Sequence, residues 1–299
     1  MLQQVTPVPL RTKVGGYIAL TKPRIIELLL ITTVPTMVLA AQGMPSGWLI
    51  FNTVLGGTLS AGGANAINMY VDRDIDRIME RTKGRPLVTG VMEPRSALTF
   101  AIGLEIVAFV WLWYWVNLLS ATLAVAACLF YVFIYTLWLK RTSTHNIVIG
   151  GAAGAAPVLI GWSSVTNALA WEPILLFAIM FMWTPPHFWA LAVKYKDDYA
   201  SVDVPMLPSV ATEAETNDRI LRYTVILWAL TLAFWPVAGM GWLYGIAAVG
   251  LGAAFTWLAV RLRANPSTAL AMKLFTYSIT YITLLFGAIA LDQLVRNIR

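Results

Sequence analysis

Apolar stretches of about 20 residues, each long enough at 1.5 Å per residue to cross a hydrocarbon core of roughly 30 Å, recur along nearly the whole chain. They lie at about 24–42, 48–70, 96–115, 118–138, 147–166, 172–193, 221–241, 245–261 and 273–294. Backbone polar groups do not go unpaired in lipid, and ten-residue alternating strands of the barrel type are absent, so these runs must be helices. The expected fold class is therefore all-α: a polytopic membrane protein with nine transmembrane helices in a single domain over 1–299. Composition agrees, since 59% of the residues are hydrophobic and 12% charged, against about 25% charged in an average soluble domain.

Orientation follows from Lys and Arg, which accumulate in short loops on the cytoplasmic side. With the N-terminus in the cytoplasm, 19 of the 21 Lys and Arg fall inside. The loops around Pro45, Asn117, Asn167 and Trp242 hold none, which leaves Arg296 and Arg299 outside. The net charge of +6 is thus mostly a topology signal. Basic residues spread over five short loops on one membrane face give no reason to invoke nucleic acid; the lipid bilayer is the implied partner. The first twenty residues lack the pattern of a cleaved signal peptide or a mitochondrial transit peptide. Cys128 is the single cysteine, so no disulfide framework or zinc motif is expected, and packing suffices to explain it.

Polar residues gather in two loops that each follow an even-numbered span and so share one membrane face. The first runs from Asn68 through Asp72, Arg73, Asp74, Asp76, Arg77, Glu80, Arg81, Lys83 and Arg85 to Pro86. The second runs from His187 through Lys194-Tyr195-Lys196-Asp197-Asp198-Tyr199 to Pro205 and Pro208. Asn68, Asp72 and Asp76 recur every four residues, which places them on one face of a helix. Amide and carboxylate oxygens so aligned suit a hard cation such as Mg2+, completed by water and phosphate oxygens. The neighbouring guanidinium groups suit phosphate. A solvated helix with Asp–Arg pairs explains the spacing equally well, and topology alone explains the basic residues. Asn68, however, lies at the end of an apolar span, where a solvated face has no reason to begin.

Glu27 and Glu105 sit within apolar spans, where a buried pair or a pocket contact is open to either. His187 lies in Trp183-Thr-Pro-Pro-His-Phe-Trp189, where paired prolines are expected to break or bend the sixth span and free carbonyls. Its two readings are a histidine bonded to such a carbonyl and a ligand or substrate contact. His145 lies in an exposed-looking run. The small residues from Gly150 to Pro157 point to close helix packing, without chemistry.

At these residues the chain resembles the UbiA-type intramembrane prenyltransferases, whose Asn-x-x-x-Asp-x-x-x-Asp motif is matched at Asn68, Asp72 and Asp76. The resemblance is stronger to the haem-farnesylating branch. It runs through Leu20-Thr-Lys-Pro-Arg24, Asn68 to Arg77, Asn146 to Pro157, Trp183 to Leu191, Lys194 to Tyr199, and Pro205-Met-Leu-Pro208. In place of the usual second Asp-x-x-x-Asp, this chain has Tyr195-x-x-x-Tyr199 around Asp197 and Asp198, a form typical of that branch. Asp203 is read as incidental.

The resemblance implies helices around a central cavity, cytoplasmic cap loops, a bacterial inner-membrane location, and Mg2+-dependent farnesyl transfer from farnesyl diphosphate to a vinyl group of haem b. Candidate partners are haem A synthase and a terminal-oxidase assembly. On this reading Asn68, Asp72, Asp76 and one of Asp197 or Asp198 hold the metal. Arg73, Arg77 and Lys194 bind the diphosphate, and Tyr195 and Tyr199 shield the allyl cation by cation–π attraction. Arg24 and Arg81 pair with haem propionates, and His187 contacts haem. The Asp motifs by themselves specify only diphosphate chemistry, so a quinone precursor or another ring remains an alternative acceptor. A transporter also uses bundled and broken helices, but its charges belong near the bilayer midplane and not at one face.

Overall fold

The computed structural model describes residues 10–297, with the side chains of residues 10, 24–30 and 297 outside the description. Arg24 and Glu27 therefore lie outside the described side chains, and Arg299 outside the described residues. Among the described residues the chain is helical, with no strand. In order, the helices are α1 (Leu10–Thr21), α2 (Pro23–Ala40), α3 (Gly47–Val71), α4 (Pro94–Trp115), α5 (Leu118–Leu129), α6 (Lys140–Thr142), α7 (Asn146–Thr166), α8 (Trp171–Lys194), α9 (Lys196–Ala200), α10 (Leu207–Val210), α11 (Glu213–Val237), α12 (Trp242–Ala264) and α13 (Thr268–Asn297). A 3-10 turn, Ile75–Arg77, follows α3, and a π-helical stretch, Phe130–Leu139, joins α5 to α6.

Seven helical segments among the described residues are long and apolar enough to cross a membrane. These are α4, α5 through α6, α7, α8, α11, α12 and α13. Of the first two expected spans, α2 runs Pro23–Ala40, and its described part is the apolar segment Ile31–Ala40. The 25 residues of α3 are long enough, but Asn52, Asn65 and Asn68 and a series of glycines dilute their hydropathy. The expected count of nine is thus not reproduced by length and apolarity alone.

Local chemistry sets several helix ends. Ser46 Oγ accepts the Leu49 N–H at 3.2 Å, and Asn117 Oδ1 accepts the Ser120 N–H at 2.8 Å, so α3 and α5 start on side-chain caps. The seventh apolar run begins well before its expected start at 221, because Thr212 caps α11 and Glu213 and Glu215 occupy its first turn. Where the expected break in the sixth span should lie, α8 runs unbroken through Pro185 and Pro186. Both prolines are buried, Trp183 Nε1 donates to Ser278 O at 2.8 Å, and Thr184 Oγ1 donates to Met180 O at 3.0 Å.

The largest core joins α7, α8, α11, α12 and α13, around Trp189, Phe234, Phe255, Phe286 and Leu176. The small residues of α7 serve as expected: a Cβ at Gly161 would lie 2.7 Å from Thr33 O on α2, and one at Gly151 would lie 2.9 Å from Thr184 Cβ on α8. A cavity of about 80 Å3 lies among α2, α3, α5 and α7, lined by Thr33, Thr53, Ser60, Ala124, Ala156 and Ile160. At the bundle end bearing the loops without Lys or Arg, Trp48, Trp115 and Tyr114 pack edge to face, as residues of a membrane interface do.

Asp292, 2% exposed, caps α12 from a distant helix. Its carboxylate accepts the N–H groups of Gly241 at 2.7 Å and Tyr244 at 3.2 Å. Asp292→Ala leaves both donors without a partner in a buried setting, so thermal melting in detergent should show a loss of about 1–3 kcal/mol. An unchanged melting temperature would remove the pin from this account.

Candidate active site

Asn68, Asp72 and Asp76 are 3%, 0% and 2% exposed, which excludes the solvated-face reading of their spacing. Helix α3 stops at Val71, so the three are not on one regular helix. They stay aligned because the Asp72 N–H donates to Asn68 O and the Asp76 N–H to Asp72 O, both at 2.9 Å. Asn68 Nδ2 donates to Asp72 Oδ2 at 2.7 Å and to Thr136 Oγ1 of the π-helical stretch at 3.2 Å. Thr82 Oγ1 donates to the Asp76 carbonyl at 3.2 Å.

Four cations from three separate segments converge on this triplet and on Asp74. Lys22, between α1 and α2, donates to Asn68 Oδ1 at 2.9 Å. Arg85 meets Asp76 Oδ2 at 2.5 Å, and Lys140 pairs with Asp72 Oδ2. Arg141 forks onto both oxygens of Asp74 at 2.7 Å and stands 3.8 Å from Asp72 Oδ1. That fork holds the Asp74 carboxyl down at about 2. Burial, then the charges of Arg85 and Lys140, pull the Lys22 ammonium down to about 7. Three aspartates thus face four basic side chains, and Asp72 Oδ1 has no hydrogen-bond partner although it is buried. An excess of cations around an unsatisfied carboxylate suits an anion brought together with a metal ion.

The second loop meets the first at another point. Asp198 Oδ1 and Oδ2 accept the backbone N–H groups of Glu80 at 3.3 Å and Arg81 at 3.1 Å. Asp197 is exposed. Neither is brought to the Asn68–Asp72–Asp76 triplet, and among the described residues no group of three or more His, Cys, Asp and Glu is placed to hold a metal ion. The first-loop members of the expected ligand set are thus side by side, while Asp198 ties the second loop to the first through backbone donors.

The Tyr195 and Tyr199 rings carry the Arg81 guanidinium at 5.5 and 5.8 Å, and Lys194 stands 5.4 Å from the Tyr195 centroid. Arg81 Nη2 also donates to the Tyr199 hydroxyl at 3.4 Å, and burial raises the Tyr199 phenol above its usual range. Arg73 lies over the Tyr70 ring at 4.4 Å and donates to the Tyr70 carbonyl at 2.5 Å, away from the carboxylates. Arg77 and Lys194 are exposed.

His187 is buried, with Nδ1 2.6 Å from Ser278 Oγ of α13 and its ring 4.2 Å from Trp183 and 4.6 Å from Phe275. Its partner is a serine hydroxyl, not a carbonyl freed by proline. The expected result for His187→Ala is lower thermal stability, by about 2–4 kcal/mol for the lost ring contacts and hydrogen bond. Affinities for haem and diphosphate measured on the folded fraction should change little. A selective loss of haem affinity with stability kept would instead support the expected contact.

Reasoning from the sequence counted Arg85 among the guanidinium groups suited to phosphate, and assigned no chemical role to Lys22, Lys140, Arg141 or Thr136. Lys22 did fall inside the Thr-Lys-Pro segment of the resemblance, and Arg85 inside the first loop. Lys140 and Arg141 read only as topology charges.

Residues 29–288 match the UbiA prenyltransferase family. The chain belongs to the UbiA prenyltransferase family. Among curated relatives, a protoheme IX farnesyltransferase of Parafrankia sp. (strain EAN1pec) is 56% identical over 94% of this chain and 90% of its own. A protoheme IX farnesyltransferase of Streptomyces avermitilis is 51% identical over 96% of each. Among solved structures, a digeranylgeranylglyceryl phosphate synthase superposes with a TM-score of 0.77 at 17% identity, over 95% of this chain and 99% of that one. A UbiA homologue from Archaeoglobus fulgidus bound to DMAPP and Mg2+ superposes with a TM-score of 0.61 at 16% identity, over 92% and 99%. This UbiA chain is thus a multi-pass membrane enzyme of the prenyltransferase class, and the transporter reading falls away. Divalent metal use occurs within the family, and the oxygen donors Asn68, Asp72 and Asp76, with the unsatisfied Asp72 Oδ1, fit a magnesium ion.

Proposed function

We propose that this chain transfers a farnesyl group from farnesyl diphosphate to a vinyl group of haem b, with addition of water, giving haem O and diphosphate. The observation that carries the acceptor is the identity of more than half, over nearly the whole length, to a protein named protoheme IX farnesyltransferase. The donor is supported by the cluster of four half-buried basic side chains around Asp72, Asp74 and Asp76.

The allylic carbon–oxygen bond breaks with its electron pair leaving on diphosphate. The haem vinyl π electrons form the new carbon–carbon bond to the farnesyl C1. The cation left beside the porphyrin takes a water oxygen, and one proton of that water is released. A magnesium ion held by Asn68, Asp72 and Asp76 would neutralise charge on the leaving diphosphate. Lys22, Arg85 and Lys140 bind the outer diphosphate oxygens, and Arg73, Arg77 and Lys194 attract the substrate from the rim.

Tyr195, Tyr199 and Arg81 close the second loop over the site, where the tyrosine faces would shield the allyl cation and Arg81 would meet a propionate. Of the second-loop carboxylates, Asp197 is the one free to join a metal, since Asp198 holds the loops together. Charge asymmetry supports a cytoplasmic N-terminus in a bacterial inner membrane, and one domain accounts for the chain. The test is to incubate the purified protein with haem b, farnesyl diphosphate and Mg2+ and weigh the haem product. A haem heavier by a hydroxyethylfarnesyl conversion supports the proposal. Unmodified haem alongside farnesylation of a quinone precursor overturns it.

A further inference from the structure

A groove of about 750 Å3 runs between α1 and the first turns of α4, outside the bundle. Its α1 wall is Val14, Tyr17 and Ile18, spaced to share one helix face, and its α4 wall includes Arg95, Ser96 and Phe100. Val14 and Ile18 are 49% and 56% exposed, so the floor is apolar and open. Arg95 makes no hydrogen bond, ion pair or ring contact among the described residues, and the same holds for Arg11 and Lys13 on α1. Arg11 falls on the same helix face as Val14 and Ile18. Glu93, at the N-cap of α4, pairs with none of these cations. From Arg95 the surface continues along α4 through Ile102, Ile106 and Val110, all exposed and apolar. From Arg95 to Ile106 the helix rises about 16 Å, comparable to half the hydrocarbon core.

A positive head beside an apolar groove that leads onto a lipid-facing stripe has the shape of one membrane lipid. We propose that this groove binds an anionic phospholipid, with its phosphate on Arg95 and Ser96 and its acyl chain along Ile102 and Ile106. The bound lipid lies against α1, which ends just before Lys22, so it would hold α1 on the bundle, where Tyr17 and Phe100 already pack at 4.7 Å.

The test is lipid retention by the full-length protein, purified from mixed micelles of phosphatidylglycerol and phosphatidylcholine and weighed intact by native mass spectrometry. The wild type should keep phosphatidylglycerol in preference to phosphatidylcholine, and excess inorganic phosphate should not remove it. Arg95→Gln should reduce that retention about fivefold, the effect of one interfacial basic residue. Arg95→Lys should restore most of it, and Lys273→Gln, on an exposed residue away from the groove, should leave it unchanged. Equal retention of both lipids, displacement by phosphate, or wild-type retention in Arg95→Gln would overturn the proposal.

Discussion

Asp72→Asn should leave the protein inserted and folded while farnesyl transfer falls by about 10²–10³-fold, the scale expected when one preorganised charge is lost at a reacting phosphate. The side chain is fully buried, with one oxygen on Asn68 and Lys140 and the other without a hydrogen bond. The amide keeps the shape and an acceptor for Asn68 but removes the negative charge. Metal-dependent binding of farnesyl diphosphate should weaken together with turnover. Product mass analysis and calorimetry on the same preparation check both, and full activity in a stably inserted Asp72→Asn protein would end the metal role. The same substitution at Asp76 should act in the same direction.

Lys140→Met separates stability from chemistry. Breaking a buried ion pair by removing one partner typically costs 3–5 kcal/mol; roughly 3 is expected here because Arg141 stays near Asp72. Thermal melting reads that loss, and kinetics should show KM for farnesyl diphosphate rising and kcat falling, since the same ammonium is assigned to the substrate. The double variant Asp72→Asn, Lys140→Met leaves neither charge unpaired, so it should recover much of the melting temperature and none of the turnover. A double variant as unstable as Lys140→Met, or Lys140→Met with an unaltered KM, would contradict this assignment.

The spans were legible because crossing a bilayer demands length and apolarity, and both are visible in one dimension. The Asn68–Asp72–Asp76 alignment was legible for a related reason: a four-residue spacing survives the end of α3 as long as the backbone keeps donating four residues back. Lys140 was opaque because a lysine at a span's end reads as topology, and nothing in the sequence says that it folds inward onto a carboxylate 68 positions away. Asp198 makes a contact of another kind, also invisible in one dimension. An aspartate in an acidic motif suggests a ligand, yet backbone N–H groups at the turn of another loop compete for the same oxygens. The unbroken course of α8 escaped because proline propensity is local, whereas both prolines sit buried within the packed bundle. The short α1 carried too few residues to stand out beside the spans.

The π-helical stretch turns chain length into an angular setting. The Lys140 N–H reaches Tyr135 O, five residues back, and the Thr136 hydroxyl donates to Tyr131 O at 2.9 Å. The wider turn fixes where Thr136 and Lys140 point, one toward Asn68 and the other toward Asp72. Deleting a single residue upstream of Thr136 within Phe130–Leu139 would let the segment relax to ordinary α geometry. The angle at which the chain leaves the segment would then change, moving the ammonium relative to the carboxylate while hydropathy and span length barely change. For this segment, residue number matters as much as residue identity: a homologue one residue shorter there would need a different cation to do the work of Lys140.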